Sequence, residues 1–177
     1  MSGANPISTL YFTRNGLLEP LGQSQVMAYL RGLSRDYKIT LITYEKPEDW
    51  ANSEAMTQAR ADCQAHGINW RPKRFRHRPK LLAPAWCMFE MFWSALQAAR
   101  RRDAELIHAR SYLPAAAAWA VFHLTGTPFI FDMRALWPEE LIIAGRLQRG
   151  SIVHKALTRL EKVCLRDAAA VVSLTDA

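Results

Sequence analysis

The sequence predicts an α/β fold: a three-layer α/β/α domain on a doubly wound, mostly parallel sheet of about six strands. Three observations lead there. Short apolar runs alternate with longer runs of helical periodicity from one end to the other, and that alternation joins parallel strands by crossover helices. The strand-like runs are apolar almost throughout, as strands covered on both faces must be. Finally, the 177 residues are half apolar and show no internal repeat or low-complexity linker. They suffice for one domain, 1–177, whose core needs no disulfide or metal staple.

Residues 7–12 are apolar and pass into a polar, glycine-bearing loop at 13–22. From Gln23 the positions Val26, Met27, Leu30 and Leu33 step by three and four, the stripe of an amphipathic helix. YKITLIT at 37–43, rich in β-branched residues, is the second strand. Residues 50–66 suit a helix stopped at Gly67, and 68–71 a short third strand. A basic loop, KRFRHRPK at 73–80, leads into a helix over 85–102. ELIHA at 105–109 is the fourth strand, and an alanine-rich helix over 113–124 ends at Gly126. PFIFDM at 128–133 is the fifth. Residues 151–166 set Ile152, Leu160 and Cys164 on one side of a helix, with Lys155, Arg159 and Arg166 mostly on the other. AAVVSL at 169–174 is the sixth strand.

The formal charge is +7, and it is concentrated. Between Arg71 and Arg102 nine basic residues face one acid, Glu90, while the rest of the chain is close to neutral. Such a segment attracts polyanions, either nucleic acid or an anionic membrane. No helix-turn-helix, RNA-recognition or zinc-finger pattern occurs, which weighs against a nucleic-acid partner. Lys73, Arg74, Arg76, Arg78 and Lys80 lead into Trp86 and an aromatic run with Phe89, Phe92 and Trp93. A helix apolar all round is ordinarily buried. The competing expectation puts its aromatics at the headgroup level of a membrane beside the basic residues. Residues 81–99 make a poor membrane span, because Pro84, Glu90, Ser94 and Gln97 interrupt them. Residues 1–6 are a short polar lead without a secretory pattern, and Cys63, Cys87 and Cys164 form no Cys-x-x-Cys pair. Reduced thiols and a cytoplasmic location, peripheral on the inner membrane face, are expected.

In a doubly wound sheet, ligands bind beyond the carboxyl ends of the strands where strand order reverses. The residues there are 13–23, 44–49, 110–114, 132–140 and 175–176, which hold Arg14, Asn15, Glu19, Arg110, Ser111, Asp132, Arg134, Glu139 and Glu140. No Gly-x-Gly-x-x-Gly follows the first strand and no P-loop occurs, which removes the best support for a dinucleotide or NTP site. Gly22 and Gln23 open a helix, either as an approach for an anion or as a plain turn with an N-cap on Gln23 or Ser24. Glu139 and Glu140 follow Pro138, where acids also serve simply to complement a helix dipole. His108 sits in an apolar strand, the setting of a structural histidine bonded to backbone. No metal-ligand spacing is present, so no metal is expected.

Four segments in this order, PLGQSQVMAYLRGLSRDYKITLIT, ELIHARSYLPA, PFIFDMRALWPEE and LEKVCLRDAAAVVSLT, resemble the N-terminal Rossmann-like domain of GT-B glycosyltransferases. The branch they resemble is the family-4-like, retaining enzymes of bacterial surface-polysaccharide assembly. The resemblance implies an acceptor-side half and a C-terminal nucleotide-sugar domain absent from this chain. It also implies that the fragment is inactive alone and binds no cofactor, the donor being held by the missing half. By the same resemblance Gly22 faces the donor diphosphate, although Leu21 stands where relatives carry a second glycine. Arg134 stands where relatives often have histidine, and His108-Ala-Arg110 resembles a His-x-His pattern with its second histidine replaced. An arginine holds oxygens bidentately and does not act as a base. Asp132 and Arg134 are therefore the catalytic-cleft candidates, with Arg14, Gly22, Gln23, His108, Arg110, Ser111, Glu139 and Glu140 binding substrate. The Glu-x₇-Glu pair of such retaining enzymes does not occur. The implied acceptor is a saccharide or a lipid-linked sugar. The alternative is a non-catalytic peripheral membrane-binding Rossmann-like module and, less favoured, a nucleic-acid-binding domain.

Overall fold

The structure, a computed structural model, describes residues 6–76 and 82–173. Strand β1 (Ile7–Thr13) runs into a loop and a wide π-type helical segment, Gly22–Met27, that continues as α1 (Ala28–Leu33). Then come β2 (Tyr37–Glu45), α2 (Pro47–Ala51), α3 (Ser53–Ala65), β3 (Asn69–Arg74) and α4 (Leu82–Arg100). The chain closes with β4 (Leu106–Arg110), α5 (Tyr112–Thr125), β5 (Phe129–Met133), α6 (Trp137–Ile143), α7 (Ile152–Asp167) and β6 (Ala170–Ser173). The six strands form one sheet in the order β3-β2-β1-β4-β5-β6, all pairs parallel. Strand order reverses between β1 and β4, which defines the switch point.

The two sheet faces carry different side chains because pleating sends alternate residues to opposite sides. Leu10, Phe12, Ile42, Tyr44, Ile107, Ala109, Phe129 and Phe131 form one core with residues of α4, α5 and α7, among them Met91, Ala118 and Cys164. Tyr11, Ile39, Leu41 and Trp70 form the other with Val26, Met27, Leu30, Met56, Ala59 and Cys63 from the π-type segment, α1 and α3. All three cysteines are buried free thiols. Burial pushes Cys63 and Cys164 up to about 12, so both stay protonated.

Several elements differ from the sequence reading. The single helix expected over 50–66 is two, because Asn52 leaves the helical backbone and its side chain caps α3 through the Ala55 N–H. Lys73 and Arg74 belong to β3 rather than to a loop. The register carries pairing on to Lys73 opposite Tyr44 and Arg74 opposite Glu45, and Pro72 is tolerated because β3 is an edge strand. Helical turns begin at Pro20, so neither Gln23 nor Ser24 is an N-cap. Instead Gln23 Nε2 donates to the Leu17 carbonyl (2.9 Å) and Ser24 Oγ to that of Pro20 (2.7 Å). Helix α4 is not buried all round. Cys87, Met91, Ala95 and Leu96 face the core, while Trp86, Phe89 and Trp93 face solvent. Arg78, Lys80 and the 175–176 pair lie outside the described residues.

Candidate functional site

Among the described residues, the buried polar and charged side chains share one sheet face, the one under α1 and α3. They are Thr9 and Thr13 of β1, Thr43 and Glu45 of β2, His108 and Arg110 of β4, and Asp132 of β5. The opposite face is apolar. This row reaches the carboxyl ends of the strands at the switch point, where a ligand is expected.

Asp132 is the centre of the row. Its Oδ2 lies 3.4 Å from His108 Nε2 and 3.9 Å from an Arg110 guanidinium nitrogen, and its Oδ1 lies 3.5 Å from Arg134 Nε. Gln25 Oε1, on the π-type segment, accepts from both Arg110 (2.6 Å) and Arg134 (3.1 Å). His108 packs on Tyr11 (centroids 4.5 Å) and meets Tyr29 edge-on (5.8 Å). Its partner is therefore a carboxylate, not the backbone acceptor expected from its strand setting. Burial, and next the Asp132 charge, push the Tyr11 hydroxyl up to about 12, with Arg110 opposing. It remains a neutral phenol.

Two guanidiniums answer one carboxylate, so the cluster carries surplus positive charge even with a neutral histidine. Arg134 is its outlet: its side chain is 24% exposed, against 7% for Arg110 and 4% for Asp132. Asp132 Oδ1 and Arg134 Nε are buried without an aligned hydrogen bond to any described group. That unused donor and acceptor capacity lies inside the cluster, where the two atoms face each other at 3.5 Å.

Beside this cluster opens a cleft of about 290 Å³ that crosses the switch point. Arg14, Asn15 and Glu19 line it from the loop after β1, Lys46 from the end of β2, and Phe75 from the end of β3. Ser111, Leu113 and Pro114 come from the start of α5, and Trp137 from α6. Glu19 is occupied by Lys46 (3.1 Å) and Asn15 (3.1 Å). Arg14 lies 5.2 Å over the Phe75 ring, and its buried Nε makes no hydrogen bond among the described residues. Ser111 adopts φ 75°, a left-handed conformation that a non-glycine residue holds only at some cost. Its N–H donates to the Asp132 carbonyl (2.8 Å), which ties the cleft floor to the polar cluster.

The loop after β1 is held by Glu45, a residue the sequence reading passed over. Its carboxylate accepts from the backbone N–H of Leu17 (2.7 Å) and Leu18 (3.3 Å) and from Thr43 Oγ1 (2.5 Å). Trp70 Nε1 in turn donates to Thr43 (2.8 Å). Gly22 completes the fastening. A Cβ there would lie 2.3 Å from the Gly16 carbonyl oxygen and 2.6 Å from that of Leu17. The missing side chain thus serves a close backbone approach. Gly22→Ala is expected to cost about 1–3 kcal/mol. Thermal denaturation would register this as a drop of several degrees. An unchanged midpoint would show that the loop yields freely.

The sequence-nominated residues therefore divide. Asp132, Arg134, His108 and Arg110 converge in one cluster, and Arg14 and Ser111 line the adjoining cleft. Gln23 and Gly22 stand behind the loop, bonded or packed against its backbone. Glu139 is paired with Arg149 (3.1 and 2.5 Å), and neither it nor the exposed Glu140 lines the cleft. Gln25, Glu45, Tyr11 and Lys46 were not singled out. The available signal was Thr43 and Glu45 at strand spacing, two polar residues on one face of an otherwise apolar run. Among the described residues no group of three or more His, Cys, Asp or Glu is arranged to hold a metal ion.

An all-parallel sheet in this strand order, with a polar cluster and cleft at its switch point, defines a Rossmann-like domain. Residues 22–177 match the family model described as glycosyl transferase 4-like domain. The chain belongs to that family. The crystal structure of Arabidopsis thaliana UGT89C1 complexed with UDP superposes with a TM-score of 0.56 at 12% identity, covering 95% of this chain and 44% of that one. At that identity the likeness is one of fold, and this chain spans less than half of the longer one. A comparison with curated proteins finds no match.

Proposed function

We propose that this chain is the acceptor-side half of a GT-B glycosyltransferase that moves a sugar from a nucleotide-sugar to a saccharide or lipid-linked acceptor. A second Rossmann-like domain of the same protein would hold the donor, with retention of anomeric configuration, in bacterial surface-polysaccharide assembly. Family membership supports glycosyl transfer as the class of reaction. The observation that carries the site is the surplus positive charge at Asp132, Arg110 and Arg134, adjoining a cleft walled by Phe75 and Trp137.

In this reading the cleft takes the acceptor. The aromatic walls cover the apolar face of a sugar ring, and Arg14, Asn15, Lys46 and Ser111 bind its oxygens. Arg134 meets the negative charge that grows on the departing diphosphate, at the corner where its side chain is partly exposed. Asp132 and Gln25 hold that guanidinium in position before the substrate arrives. His108, packed between two tyrosines and bonded to Asp132, orients the carboxylate. The work is positioning and charge stabilisation by fixed groups.

The test is sugar transfer by the protein that carries this chain together with its donor domain. Arg134→Ala should lower kcat by roughly 10²-fold, the scale seen when one charge-stabilising donor is removed. Donor binding should change less, because the interaction strengthens as charge develops. A variant that keeps wild-type kcat removes Arg134 from the mechanism. Absence of transfer to any acceptor by the intact protein overturns the reading itself.

A further inference from the structure

Among the described residues, one face of helix α4 is left largely exposed. Opposite its core-facing side, Trp86, Phe89 and Trp93 form a stripe at spacings of three and four and are 49%, 54% and 46% exposed. The rings contact one another, Trp86 to Phe89 at 6.0 Å and Phe89 to Trp93 at 6.2 Å between centroids, the second pair stacked. Arg76 covers the Trp86 ring at 5.5 Å. Contiguous exposed aromatics on a soluble domain mark a surface built for contact. The exposed Arg100, seven residues after Trp93, continues the same helix face, and the exposed Arg71 and Arg101 lie beside Ser94 and Gln97 of α4. The one acid of the segment, Glu90, is answered by Lys73 at 3.6 Å.

The complementary partner is apolar in the middle and negative at its rim. We propose that α4 seats the protein on an anionic membrane surface, with Trp86, Phe89 and Trp93 at the headgroup boundary and the arginines against lipid phosphates. No helix of the described residues is long and apolar enough to cross a membrane, which fits a helix lying in the interface. A nucleic-acid strand fits less well: it needs a groove with open ring faces, whereas these rings form a ridge and Phe89 stacks on Trp93. The stripe also adjoins the cleft, since Phe75 walls the cleft and Arg76, the next residue, covers Trp86. Resting on the transfer reading above, this favours a lipid-linked acceptor presented at the membrane.

The experiment is co-sedimentation of the 177-residue chain with vesicles of phosphatidylcholine, alone or mixed with phosphatidylglycerol. Binding is expected to the mixed vesicles only. Raising salt from about 0.1 M to about 1 M, where the Debye length shrinks from about 10 Å to about 3 Å, should weaken it. The combined Trp86→Ser, Phe89→Ser and Trp93→Ser variant should bind on the order of tenfold less tightly or worse. These positions are exposed, and circular dichroism checks that the variant folds. As a second readout, brominated lipid should quench wild-type tryptophan fluorescence, and less so in the Trp86→Phe, Trp93→Phe variant. Equal binding by wild type and the serine variant overturns the proposal, as does wild-type binding to neither vesicle. Self-association abolished by the serine variant, or tighter binding of single-stranded RNA than of vesicles, assigns the stripe to another partner and also overturns it. The two readings fail separately. The serine variant should still transfer sugar to a soluble acceptor in the intact protein, and Arg134→Ala should still bind vesicles.

Discussion

Asp132→Ala is expected to destabilise the domain by about 3–5 kcal/mol, the scale for removing one partner of a buried ion pair. The reason lies in what remains. Arg110, with a side chain only 7% exposed, would keep its full charge and lose its carboxylate, leaving it the uncharged Gln25 amide oxygen as acceptor. His108 would lose its acidic partner at the same time. For a domain of this size each kcal/mol shifts the melting temperature by about 2–4 °C, so a fall of roughly 6–20 °C should appear in thermal denaturation. Asp132→Asn keeps the shape and loses only the charge, so its effect should be smaller. A melting temperature unmoved by Asp132→Ala would mean that Arg110 reaches water or another acceptor, and that Asp132 is not the counter-ion of the cluster.

Replacing Glu45 should have the second-largest effect. Glu45→Ala removes the acceptor of two backbone N–H groups, one of them on the fully buried Leu17. Leaving a buried donor unsatisfied costs about 1–3 kcal/mol, and less for the part-buried Leu18, so a loss on the order of 2–4 kcal/mol is expected. The loop that carries Arg14, Asn15 and Glu19 into the cleft should loosen with it. Stability should also respond to pH. Burial raises the Glu45 carboxyl above the ordinary glutamate value of about 4.3, with the bonds from Thr43, Leu17 and Leu18 opposing. A raised folded-state value means that the native state holds the proton more tightly than the unfolded chain. The corresponding stability is then complete below the ordinary value and is lost as pH rises through the folded one. Glu45→Gln cannot ionise and should remove that component of the slope. Urea unfolding of both proteins across this range decides it, and identical slopes would show that Glu45 does not titrate there.

Much of the architecture was legible because it rests on local rules. Strands at YKITLIT and PFIFDM follow from β-branched and apolar side chains, and the stop of α5 at Gly126 from a left-handed residue at φ 74°. Helix α7 was legible to within a residue at each end, starting at Ile152 rather than 151 because the Ser151 hydroxyl accepts from the His154 N–H and caps it. The candidate site was legible in part. Knowing that ligands sit at strand ends was enough to nominate Asp132, Arg134, Arg110, Arg14 and Ser111. Glu45 fell inside the 44–49 segment without being nominated, and Gln25, an exposed helical position, lay just beyond 13–23. Their meaning comes from partners 28 and 85 residues away. Helix α4 shows the same limit from the other direction. Its composition was apolar enough to be buried all round, and only its packing against the sheet determined which side chains would be left outside.

The amino-acid sequence by itself determined the order of strands and helices and the fold class, because periodicity and capping act within a few residues. It also determined the local excess of positive charge. The tertiary structure alone decided that the polar residues of four strands share one face and that two arginines converge on one carboxylate. It likewise decided that three aromatics remain in water. Those are properties of register and crossover, through which residues far apart in the chain meet in one low-dielectric layer where the pairing of charges governs stability.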